Sequence, residues 1–140
     1  MKIYYKIWVD CILKAQSKPE NKDNWKLFTM VFMSMSMALN LIFLLFVLSD
    51  LGITEEIFFI QFDIFPCTKI DAFFSFFISY LLPFLTLNYF LIFYEEKHKQ
   101  LVLKYEYNNG KLFMAYFLSS IGILPLYLMC AVLIVKMFQN

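Results

Sequence analysis

Three stretches of this chain carry no charged residue: Leu27–Ser49, Ala72–Tyr94 and Leu112–Val135, of 23, 23 and 24 residues. As a helix each reaches about 35 Å, enough to cross a hydrocarbon core of about 30 Å with some tilt. Inside lipid every backbone N–H and C=O needs an internal partner, so each stretch is expected to be a helix. The remaining composition agrees. Of 140 residues, 61% are hydrophobic and 16% charged, and a soluble domain this small has too much surface to hide that apolar content. An ordinary cytosolic domain, a disordered protein and a secreted disulfide scaffold are excluded. The first stretch follows 26 polar and amphipathic residues, is too long for a signal-peptide core and lacks a small-residue cleavage site. It is expected to stay in the membrane as an anchor.

Lysine placement sets the expected threading. Residues 1–26 hold six lysines and residues 95–111 hold four, whereas the 50–71 loop holds Lys69 beside Asp50, Glu55, Glu56, Asp63 and Asp71. The tail adds Lys136. The spacing therefore predicts an all-α integral membrane protein with three transmembrane helices, N-in and C-out, as one membrane domain over 1–140. Its expected parts are an amphipathic helix at 2–15, spans at 27–49, 72–94 and 112–135, an outer loop at 50–71 and a cytoplasmic loop at 95–111. A bacterial inner (cytoplasmic) membrane is the expected location. The lipid bilayer is the first partner, and the net charge of +1 gives no pull toward nucleic acid.

In the N-terminal segment Lys2, Lys6, Asp10 and Lys14 recur every four residues, with Ile3, Ile7, Trp8, Cys11 and Ile12 opposite. This pattern suits a helix lying in the membrane interface. Ser17-Lys18-Pro19 would end it, Asp23 would cap the first span, and Trp25 would sit at headgroup depth. In the outer loop a turn and helix start are expected at Gly52–Glu56. The apolar run Ile57–Pro66 is too short to span, and Asp63 opposes deep insertion. The cytoplasmic loop could extend the second helix from Glu95 to Tyr107, with Asn108-Asn109-Gly110 as its stop. The third span starts at Leu112, so that extension must bend near Glu95-Glu96 and run back along the surface. Leu101, Val102 and Tyr105 would then face lipid or the bundle.

Candidates for chemistry are few. His98 is the single histidine, set among Glu95, Glu96, Lys97 and Lys99, and is expected to be solvated. Cys11, Cys67 and Cys130 show no metal or redox spacing. All twelve basic residues are lysine, so no guanidinium fork is available for bidentate phosphate or carboxylate recognition. The spans hold no Asp, Glu, Lys or His, the usual marks of proton relays and coupled transport. Met30, Met33, Met35 and Met37 crowd the first span. Three spans with a Met-x-x-x-Met pair at Met33 and Met37 resemble the small trimeric copper-uptake family. That family places the pair in its second span, carries Gly-x-x-x-Gly in its third and runs N-out, features this chain does not share. Methionine as an adaptable packing residue is the expectation, with no cofactor or metal.

Packing faces are better marked. Met33, Ser36 and Asn40 share a face of the first span, Ser75, Ser79 and Thr86 one of the second, and Ser119 and Gly122 one of the third. Small and polar residues bring helices close in lipid, and Asn40 is the strongest candidate because an unpaired amide there is costly. Pro83 and Pro125 fall near mid-span and are expected to kink their helices. The expected function is a small multi-pass interaction protein, a subunit or adaptor of a membrane complex, not an enzyme. Its partner would be another membrane protein or a second copy of itself. The alternative is a homo-oligomeric channel or carrier for an uncharged or soft solute.

Overall fold

The computed structural model describes residues 2–21, 23–53, 60–63 and 68–138, the side chains of 134–138 excepted. The described residues are almost wholly helical, with no strand among them. Helix α1 covers Lys2–Gln16 and is followed by a 3-10 turn at Pro19–Asn21. Helix α2 spans Trp25–Asp50 and α3 Thr68–Phe76. Shorter helices α4, Leu82–Asn88, and α5, Lys97–Lys104, precede the long α6, Lys111–Phe138. Three helical stretches are long and apolar enough to cross a membrane: Trp25–Asp50, Thr68–Lys104 and Lys111–Leu133.

The second of these is not a uniform α-helix. Pro83 has no N–H to donate and its ring crowds the carbonyl of Ser79. The chain answers with a wider π turn over Phe77–Leu81, in which the Leu82 N–H reaches the Phe77 carbonyl. A second π turn at Tyr89–Phe93 leads into Tyr94–Glu96. There Glu95 and Glu96 both adopt left-handed backbone, φ 52° and 57°, and the chain reverses into α5. Pro125, by contrast, lies inside α6 without interrupting it.

Side-chain pairs give the directions of the helices. Phe32 meets Phe117, Asn40 meets Ser120, and Tyr127 hydrogen-bonds Asp50, so α2 and α6 run parallel. Trp25 meets Phe93 and Ser34 meets Asn88, so the stretch containing α4 runs antiparallel to them. Helix α1 packs against α2, α6 and α5 at the end where α2 and α6 begin.

That packing corrects two expectations. The apolar face of α1, expected to meet lipid, meets the bundle: Trp8, Cys11 and Ile12 form a buried cluster with Met33 and Ile92. Asp10, expected beside the lysines on a polar face, is fully buried. The cap of α2 also differs, since Asn24 and not Asp23 stands at that position, with no side-chain cap hydrogen bond. Thr54–Phe59 and Ile64–Cys67, which hold the expected helix start and most of the apolar run, lie outside the described residues, as does Lys22.

Candidate functional site

The most constrained part of the molecule is the end where α1 covers the starts of α2 and α6. A helix N-terminus leaves its first N–H groups without intrahelical partners. In α6 they are met by a side chain from α1. One oxygen of Asp10, Oδ1, accepts the N–H groups of Asn108 and Gly110, both at 2.9 Å. The other, Oδ2, accepts those of Leu112 at 2.9 Å and Phe113 at 3.2 Å. Asn109 and Gly110, at φ 55° and 77°, curl the preceding turn so that its N–H groups converge. Four charge-assisted bonds and the positive end of a helix dipole together explain how a carboxylate with no lysine partner among the described residues is buried.

This arrangement changes the reading of Asn108-Asn109-Gly110. The sequence made it the stop of an extended helix. Instead α5 ends at Lys104, Tyr105 is extended, and the three residues form the turn held by Asp10. Gly110 also gives room: a Cβ there would lie 2.8 Å from Lys14 Cδ. Leu101 and Val102 pack against the buried cluster, and Tyr105 stacks on Tyr5 with ring centroids 6.4 Å apart.

Deeper in the bundle the polar side chains tie helix to helix. The Tyr4 hydroxyl donates to Asn88 Oδ1 at 2.7 Å, and Asn88 Nδ2 donates to Ser34 Oγ at 2.8 Å. Asn88 is fully buried. Partial burial pushes the Tyr4 phenol up to about 12, despite the opposing influence of Trp8. Burial, with the negative charge of Asp10 beside it, raises the Cys11 thiol well above its ordinary range. The second tie is Asn40, whose Nδ2 donates to Tyr116 Oη at 3.2 Å and Ser120 Oγ at 3.0 Å.

Of the packing residues expected from sequence, Asn40, Ser36, Met33 and Ser75 lie in or at the interior. Ser75 and Ser79 accept the Phe62 and Ile60 N–H groups, each at 3.0 Å, and so fasten the 60–63 segment to the helix. Thr86 and Ser119 are exposed and return their hydroxyls to their own helices, at Leu82 and Tyr116. Gly122 has no side-chain or backbone neighbour that an added Cβ would meet. The buried serine of α6 is Ser120, one residue from the one expected. Asn88 carried the same signal as Asn40, an amide within an uncharged span, and belonged among the candidates on that ground.

His98 is a correction. It is only 6% exposed and packs against the touching Trp25 and Phe93 rings, each 5.5 Å away, because the reversal at Glu95–Glu96 turns α5 back onto the bundle. Among the described residues no group of three or more His, Cys, Asp or Glu side chains is placed to hold a metal ion. No family model, curated protein or solved structure matches this chain.

Proposed function

We propose that this chain is a small multi-pass membrane interaction protein, a subunit or adaptor without chemistry of its own, with its N-terminus in the cytoplasm of a bacterial cell. One observation carries the reading. Asp10, Asn40, Asn88 and Ser120 are engaged in holding segments of this chain to one another, while most of the described side chains of α6 beyond Pro125 are apolar and exposed, with Tyr127 returning to Asp50 and Phe43 of α2. Leu126, Met129, Val132 and Leu133 are each more than half exposed, and the α6 span is less buried than the other two. Side chains of this kind pack on a second membrane helix as readily as on lipid, so this face is open to a partner. The threading is supported by the meeting of α1 with α5 and the 108–113 turn, which gathers the two lysine-rich segments at one end.

A channel or carrier needs polar groups free to meet its solute, and Asn40 is the amide of the first span. Asn40 has intramolecular partners in Tyr116 and Ser120, so it offers a solute no free amide donor. Cys130 is exposed on α6 and supplies the test. Thiol-directed crosslinking through Cys130 in native membranes should join α6 to a second polypeptide of defined mass, and Cys130→Ser should abolish the product. Crosslinking that yields monomer alone would overturn the interaction reading.

A further inference from the structure

A groove of about 190 Å³ opens between α1, α2 and α6 beside the Asp10 cap. Its walls change character with depth. Lys14 and Lys18, with Asn21, stand at one end; Phe28 and Phe113 follow, in the first turns of α2 and α6, and Phe32 and Phe117 lie one turn further along the same helices. Phe28 and Met114, on the rim, are 44% and 45% exposed, so the groove opens sideways between two helices of membrane-spanning length. Its polar end is cationic. Among the described residues the ion pair is Lys99–Glu96, which leaves both groove lysines without a carboxylate. The carboxylate closest in sequence to Lys14, Asp10, is fully buried behind its four backbone bonds, and Glu20, two residues from Lys18, does not line the groove.

We infer that this groove binds one anionic phospholipid, its phosphate against Lys14 and Lys18 and an acyl chain lying over Phe28, Phe113 and the Phe32–Phe117 pair, which meet as the groove's floor. Charge and apolar surface are ordered as such a molecule requires. The first turns of two spans lie at headgroup level, and the next turns, about 5 Å deeper, lie at the start of the acyl region. The lysine stems can follow the groove wall while their ammonium groups stay at the aqueous end.

The test uses the full chain in neutral detergent, with phosphatidylglycerol or phosphatidylcholine added to the micelles and the thermal midpoint and bound-lipid mass measured. Phosphatidylglycerol should raise the midpoint and remain bound where phosphatidylcholine does not. A lysine beside an anionic headgroup is worth about a fivefold change in affinity, so Lys14→Gln/Lys18→Gln should weaken binding roughly 25-fold. Glutamine keeps the stem that packs on Gly110. If that pair lowers the lipid-free midpoint, the exposed Lys18→Gln alone carries the test, with the fivefold loss expected. The control Lys2→Gln/Lys6→Gln removes the same charge from the same helix outside the groove and should leave binding within twofold. Equal loss in both double variants, or no preference for phosphatidylglycerol, overturns the proposal. So does equal protection by glycerol 1-phosphate, which has the phosphate and no acyl chain. Lipid binding by a chain with no protein partner would sink the interaction reading and leave this one standing.

Discussion

Asp10 holds Gly110 across 100 residues of sequence, its carboxylate accepting the Gly110 N–H at 2.9 Å with both groups buried. Through this contact α1 sets where α6 begins. The same carboxylate meets four N–H groups, so Asp10→Asn keeps one acceptor oxygen and turns an NH2 toward donors. Hydrogen bonds to charged groups contribute about 1.5–3 kcal/mol each, and buried donors left unpaired add to the loss. Asp10→Asn should therefore destabilise the fold by about 3 kcal/mol or more in a detergent unfolding titration. A loss below about 1 kcal/mol would show that the cap contributes little.

Gly110 and Gly52 both adopt positive φ, 77° and 70°, but only at Gly110 would a Cβ meet a neighbour, the Lys14 stem. Gly52→Ala should cost about 1 kcal/mol for left-handed backbone alone. Gly110→Ala should cost visibly more, and adding Lys14→Ala should recover the excess. Equal costs at the two glycines would refute the packing argument.

Asn40→Leu should weaken the α2–α6 contact by about 0.6–2 kcal/mol, since Tyr116 and Ser120 lose a donor inside the bundle. Because both partners belong to the same chain, the mass of any oligomer in mild detergent should not change. A shift to a smaller oligomer would place Asn40 at an interface between copies.

The Tyr4 phenol is raised to about 12 from an ordinary 10.0. A raised acid contributes stability that is complete below the unfolded value and lost as pH climbs toward the folded one. Stability should therefore fall between about pH 10 and 12, and Tyr4→Phe should flatten that part of the curve while lowering stability at neutral pH. Identical alkaline curves for the two proteins would contradict the assignment.

Cys11 is 3% exposed and its thiol is raised by burial. In a Cys67→Ser/Cys130→Ser background, a maleimide should label Cys11 only after denaturation, and moving from pH 7 to 9 should not accelerate labelling of the folded protein. Rapid labelling of folded protein would mean that α1 detaches from the bundle.

What the sequence determined by itself is local and additive. Three runs without charge required three long apolar helices, because hydrophobicity sums along a segment whatever its neighbours do. The need for a reversal near Glu95-Glu96 was likewise legible, since Leu112 follows too soon for a straight extension. Rotation about each helix axis was not. Lipid and protein interior are both apolar, so a span carries little amphipathic signal to say which face packs, and Ser119 and Ser120 cannot be told apart by composition. Asp10 looked like part of a solvated stripe because its partners lie 98 to 103 residues away. Only the tertiary structure brings those N–H groups to the carboxylate, and only the fold-back of α5 places His98 against two aromatic rings. A charged or titratable side chain declares its cost in the sequence; the groups that meet that cost are decided by the fold.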